Sequence, residues 1–208
     1  MAVATLILGE SGTGKSAAMR NMNPSKTMLL QLVQKPLPFR CSGWKPYVVS
    51  DWRRICSAIA KSESLGKEII IIDDFQYLMA DEFMNRATET GFQKFTEICL
   101  HAYQVIKSAI NAPKNLRVYF LSHTETGEMG KIKCKTIGKM LDEKITLEGL
   151  FTIVLRTHVE NNSYTFSTQN NGNDTVKSPM GLFSSTQIEN DLNAIDDIIC
   201  QYYEIGVI

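Results

Sequence analysis

Residues 2–16 read Ala-Val-Ala-Thr-Leu-Ile-Leu-Gly-Glu-Ser-Gly-Thr-Gly-Lys-Ser, an apolar run that ends in a complete G-x-x-x-x-G-K-[ST] pattern at Gly9, Gly14, Lys15 and Ser16. No other stretch limits the fold so tightly. A strand must end in a loop whose glycines let successive N–H groups turn inward toward an anion, and a helix must begin where the loop closes. The run Ala17-Ala18-Met19-Arg20 supplies helix formers there. The pattern predicts that Gly9, Glu10, Ser11, Gly12, Thr13, Gly14, Lys15, Ser16 and Ala17 cradle the phosphates of a nucleoside triphosphate. Lys15 then reaches the β- and γ-phosphates, and the Ser16 hydroxyl ligates a metal ion. ATP and Mg²⁺ are the expected cofactors.

Further apolar runs recur with helical stretches between them, which predicts the α/β class with a mostly parallel central sheet. Strands are expected at 3–8, 28–33, 47–49, 69–72 and 118–121, with a helix from a cap at Ser50 or Asp51 to about Ser64. Asp81–Ile110 reads as helical with a break near Gly91, because Phe92, Phe95, Cys99, Ala102 and Ile106 share one face. Residues 122–149 are polar and read as loop. Phe151–Thr157 and Tyr164–Thr168 alternate across Asn161-Asn162-Ser163 as a hairpin, and 169–181 have loop composition. A terminal helix capped near Ser185 would place Ile188, Leu192, Ile195 and Ile199 on one face. The expectation is a three-layer P-loop fold in one domain, with a core over 1–168 and a loop and helix over 169–208.

The 208 residues, 44% of them apolar, suffice for a substantial core, and a formal net charge of zero provides no global field toward nucleic acid or membrane. Any polyanion site must be a local patch. The five cysteines form no C-x-x-C pair or metal-ligand spacing, so reduced thiols in a cytoplasm are expected. The apolar start lacks a basic flank, and no run approaches membrane-spanning length, so no membrane association is expected.

Glu68-Ile-Ile-Ile-Ile-Asp73-Asp74 is a buried strand ending in two carboxylates. At the end of such a strand Asp73 would hold a water on Mg²⁺, and Asp74 would orient or polarise an attacking water. Both residues can equally end the strand and cap a following helix. Val118–Leu121 ends in Ser122-His123-Thr124, which suits a sensor of the γ-phosphate. The hydrolase branch of P-loop folds inserts such a strand between the phosphate-loop strand and the Asp strand; small-molecule kinases lack it.

The phosphate loop, the Ile-Ile-Ile-Ile-Asp-Asp-Phe-Gln-Tyr stretch, Leu-Ser-His-Thr and the segment 138–155 together resemble a phage family. These are the core-only RecA-like ATPases of recombination modules, linked to single-strand annealing, and the likeness runs over residues 2–183. It implies a RecA-like core, single-stranded DNA binding, a homo-oligomer (ring or filament) around ATP, a single-strand-binding protein as partner, and a host bacterial cytoplasm. One departure stands out: such proteins carry a glutamate at the end of the second strand, where this chain has Gln34-Lys35-Pro36.

RecA-like proteins present DNA loops after the sensor strand, where Lys131, Lys133, Lys135, Lys139 and Lys144 crowd together. Lys131 and Lys133 are candidates for DNA phosphate contacts. Lys135 and Lys139 are candidates to reach a neighbouring subunit's γ-phosphate. A solvated charged loop is the plainer alternative. Trp44, between Gly43 and Pro46, is the candidate base-stacking residue, whereas Trp52 and Tyr47 fit core positions. The rival functions are an AAA+ remodelling ATPase, whose loop can share Gly-Glu-Ser-Gly-Thr-Gly-Lys, a nucleotide-gated DNA-binding module with little turnover, and a small-molecule kinase.

Overall fold

The computed structural model describes residues 1–127, 130–138 and 144–206. Its sheet is built from β1 (Val3–Gly9), β2 (Thr27–Gln31), β3 (Tyr47–Val48), β4 (Ile69–Asp73), β5 (Arg117–Thr126), β6 (Ile132–Cys134), β7 (Ile153–Glu160), β8 (Ser163–Ser167) and β9 (Gln187–Glu189). The spatial order is β3-β2-β4-β5-β1-β7-β8-β9, with β6 paired to the far end of β5. The strands from β3 to β7 are parallel, and β8 and β9 close the edge antiparallel. β5 therefore lies between the phosphate-loop strand β1 and the aspartate strand β4, the insertion expected from the sequence.

Period-2 alternation explains why these strands are apolar throughout. Leu6, Leu8, Ile70, Ile72, Val118 and Phe120 face a layer formed by α1 (Trp52–Ala60), α2 (Gln76–Asn85) and α3 (Gln93–Ile110). Ile7, Ile71, Tyr119, Leu121 and Leu155 face the opposite layer, where Ala18 and Met19 meet Leu192, Ile195 and Ile199 of α4 (Leu192–Tyr202). The result is the expected three-layer α/β arrangement. No helix among the described residues is long and apolar enough to cross a membrane.

Several local expectations change. Behind the phosphate loop stands a six-residue 3-10 helix, Ser16–Asn21, because Met22 is already extended and Pro24 follows. α1 stops at Ala60 and a 3-10 turn, Glu63–Leu65, ends on left-handed Gly66. α2 starts at Gln76, before Asp81. Within 122–149, β5 continues to Thr126 and folds back as β6. Tyr47 lies exposed on a two-residue edge strand and is not core. Ile188 belongs to β9 opposite Phe166, so Ser185 caps no helix and α4 begins later.

The α4 cap is Asp191, whose carboxylate accepts from the backbone N–H of Asn193 and Ala194. Asp191→Ala should therefore lower stability by about 1 kcal/mol, read as a shift in urea midpoint with an unchanged slope. A variant matching the wild type would show that the cap contributes nothing.

Candidate nucleotide-binding site

β1 delivers the chain to Gly9, in register with His123 of β5, so the loop and the tip of β5 lie side by side. A Cβ on Gly9 would overlap the Thr157 hydroxyl oxygen, so glycine is obligatory there. Thr157, on β7, donates to the Leu8 carbonyl (3.2 Å) and shares a hydrogen bond with Thr13 (2.6 Å). It braces the loop from the neighbouring strand, and nothing in the local sequence flags it. Gly14 has φ +94, and its Cβ position is 2.9 Å from the Tyr164 ring, so a side chain would meet both backbone strain and a wall.

Lys15 is buried and curled onto its own loop, donating to the carbonyls of Gly9 (2.8 Å) and Glu10 (2.7 Å). Burial brings its pKa down to about 8 against the upward pull of Asp74 and Asp73. The Ser16 hydroxyl donates to Asp73 Oδ1 at 2.8 Å, joining the loop to the end of β4. Asp73 is almost fully buried, and its Oδ2 has no hydrogen-bond partner. Burial and the adjacent Asp74 raise its pKa.

Asp74 sits at φ +62, a left-handed turn that aims its carboxylate at the same cleft. Oδ1 lies 3.4 Å from His123 Nε2, and Oδ2 contacts the Lys35 ammonium. Burial pushes the Asp74 pKa up, but the hydrogen bonds to His123 and Lys35 outweigh it and the net direction is down. The cleft is about 380 Å³ and is lined by the loop residues Ser11, Gly12, Gly14, Lys15, Ser16 and Ala17 and, around them, by Lys35, Pro36, Pro38, Asp74, His123 and Tyr164.

Most of the predicted loop residues line this cleft. Thr13 instead turns to Thr157 and to the Glu10 carbonyl. Ser122 does not line it: fully buried, it faces the α1–α3 layer like Phe120 and accepts a hydrogen bond from the Cys134 thiol at 3.4 Å. His123 is thus the candidate sensor of that pair. Lys131 and Lys135 are exposed at the β5–β6 hairpin, where the Lys135 backbone N–H donates to the His123 carbonyl. Lys133 is half-buried with its ammonium 3.6 Å from Glu125, an occupied cation and a poor one for DNA. Lys139 lies outside the described residues. Trp44 is partly buried, edge-on to Phe39 with ring centroids 5.8 Å apart, so its surface is largely used within the chain. Trp52 packs against the core and stacks on His101.

The residues fit a phosphate-bound divalent ion. Ser16 and Asp73 offer two hard oxygen donors, and the unpartnered buried Asp73 Oδ2 is a polar atom that folding alone does not satisfy. Two donors leave most positions to waters and phosphate, as Mg²⁺ prefers.

No family model and no curated protein matches the chain. Among solved structures it is similar to a KaiC-like protein from the hyperthermophilic archaeon Pyrococcus horikoshii OT3, at 12% identity over 79% of this chain and 78% of that one, with a TM-score of 0.43. The class of the protein, an α/β P-loop fold with an inserted strand, follows from the strand order and the loop, and not from that likeness.

Proposed function

We propose that the protein binds and hydrolyses ATP with Mg²⁺, and that it is a RecA-like, oligomer-forming ATPase acting on single-stranded DNA in phage recombination or annealing. The observation that carries the nucleotide part is the Ser16–Asp73 hydrogen bond, with a free buried Asp73 oxygen beside Lys15. Gly9–Ala17 would hold the phosphates, and Ser16 and Asp73 would hold Mg²⁺, which when bound offsets phosphate charge. Lys15 would leave the Gly9 and Glu10 carbonyls for phosphate oxygens. Asp74 and His123 would orient the attacking water.

The DNA part rests on the exposed Lys131 and on the sequence resemblance. A lysine from a second copy, Lys135 or Lys139, would complete the site, and a single-strand-binding protein would be the accessory partner. The test is ATP turnover with Mg²⁺, with and without single-stranded DNA. Stimulation by DNA supports the reading; turnover that ignores DNA overturns its DNA part. The Lys131→Ala variant should weaken DNA binding and flatten its log–log salt slope by about 0.7, the contribution of one single-strand phosphate left without its lysine. An unchanged slope would remove Lys131 from the interface.

One observation favours a second reading, a nucleotide-gated module with little turnover. Both Asp74 oxygens are engaged, by Lys35 and His123, and these contacts hold its pKa down, which makes it a weaker base toward water.

A further inference from the structure

Lys35 stands where the chain has just left β2, and that stretch is pinned to the end of β4. Leu32 N–H donates to the Asp73 carbonyl (3.3 Å), and the Gln31 side-chain amide donates to the Lys35 carbonyl (3.3 Å). Pro36 fixes the backbone that follows. The Lys35 ammonium contacts Asp74, whose side chain is 4% exposed, while Lys35 itself is 41% exposed on the cleft side. The two lysines of the cleft therefore differ in kind. Lys15 lies beneath the loop, held by two carbonyls, whereas Lys35 approaches from the wall that carries Asp74 and His123.

An ammonium paired with one carboxylate can exchange that partner for a more highly charged one when the new anion arrives within its reach. A triphosphate brings a terminal phosphoryl group that a diphosphate lacks. We propose that Lys35 is the cation that reads the γ-phosphate: it pairs with Asp74 when no triphosphate is present and transfers to the terminal phosphate when one binds, releasing Asp74 Oδ2. This rests on the nucleotide-binding function proposed for the cleft and adds to it a specificity-determining residue. It also bears on the two functional readings, because a triphosphate would free Asp74 Oδ2 from Lys35 while Oδ1 keeps its contact with His123. Lys35 remains charged at neutral pH: burial pulls its pKa down, but the hydrogen bond to Asp74 outweighs this and raises it.

The test is equilibrium binding of ATP and of ADP, each with Mg²⁺, to the wild type, Lys35→Gln, Lys35→Arg and Lys35→Gln/Asp74→Asn. The ratio of the two dissociation constants is the readout. Lys35→Gln should shift it toward ADP about tenfold, the loss of roughly one charge-assisted hydrogen bond, with ADP affinity little changed. Lys35→Arg should retain most of the preference. Asp74→Asn is measured as the reference for the double variant, which leaves no unpaired buried carboxylate. Relative to Asp74→Asn, the double variant should shift toward ADP about tenfold, which separates phosphate reading from a folding defect. Equal loss for both nucleotides, or no loss, would overturn the role of Lys35 while leaving nucleotide binding intact. Failure of the folded wild type to bind either nucleotide would overturn the nucleotide-binding function itself, and the proposal with it.

Discussion

Lys15→Ala is expected to lower ATP turnover by about 10²–10³, the usual consequence of deleting one preorganised donor aimed at developing negative charge. The side chain is the most deeply placed cation of the cleft, and its resting hydrogen bonds go to two carbonyls of its own loop. The loop backbone would survive the substitution, since Thr157 and Thr13 brace it independently of the lysine. Unfolding curves should therefore remain close to wild type while nucleotide affinity collapses. A variant that kept within about threefold of wild-type turnover would sink the assignment of this cleft. The pH dependence has a defined sign. With the free-protein pKa brought down to about 8, the ammonium is progressively lost above that pH. Phosphate then has to recruit a proton along with its binding, so ATP affinity falls as pH rises from about 8 toward 10. An affinity that stayed flat across that interval would mean that Lys15 keeps its proton regardless of its surroundings.

Much of this site was legible because its signals are local. The loop pattern, the four isoleucines before Asp73 and the apolar period of β5 are each short and continuous in sequence, and together they predict which strand stands between which. Ser122 could also have been placed correctly: alternation with Val118 and Phe120 sends it to the α1–α3 side, and His123 to the cleft. Other features depend on partners that sequence distance hides. The chain after the second strand advertised a missing carboxylate, but only the pairing of β2 with β4 brings Lys35 onto Asp74. Thr157 matters because β7 runs beside β1. Ile188 fits the helical period of Leu192, Ile195 and Ile199 as well as it fits a strand. The exposed edge of β8 decides the matter by offering backbone hydrogen bonds, and the Asp191 cap then starts the helix.

Asp196→Ala should cost about 3–5 kcal/mol of stability, the consequence of removing one partner from a buried ion pair. Asp196 lies on α4, facing the sheet, and accepts from Arg117 Nε at 3.1 and 3.3 Å, from an Arg117 terminal nitrogen at 2.9 Å, and from the Tyr119 hydroxyl at 2.5 Å. Arg117 is 6% exposed and Tyr119 fully buried, so alanine would leave a desolvated guanidinium and a desolvated hydroxyl together. Glu68, 3.7 Å from Arg117, can compensate only in part because it is itself half exposed and paired with Lys26. Against a total of about 5–15 kcal/mol for a domain, such a loss would leave many molecules unfolded at physiological temperature. Asp196→Asn keeps an acceptor for Tyr119 and should cost less. Because the pair is buried, high salt should not reproduce the effect. The consequence reaches the cleft, since β5 carries His123 and α4 meets the 3-10 helix behind the phosphate loop, where Asn21 bonds Asp191 and Arg20 bonds the Asn190 carbonyl. Saturating Mg²⁺–ATP should therefore recover part of the lost stability by binding only the folded state. Urea unfolding of both variants, with and without Mg²⁺–ATP, measures each claim. A loss under about 1 kcal/mol for Asp196→Ala would show that the helix docks by apolar contact alone, since even one unsatisfied buried group costs that much.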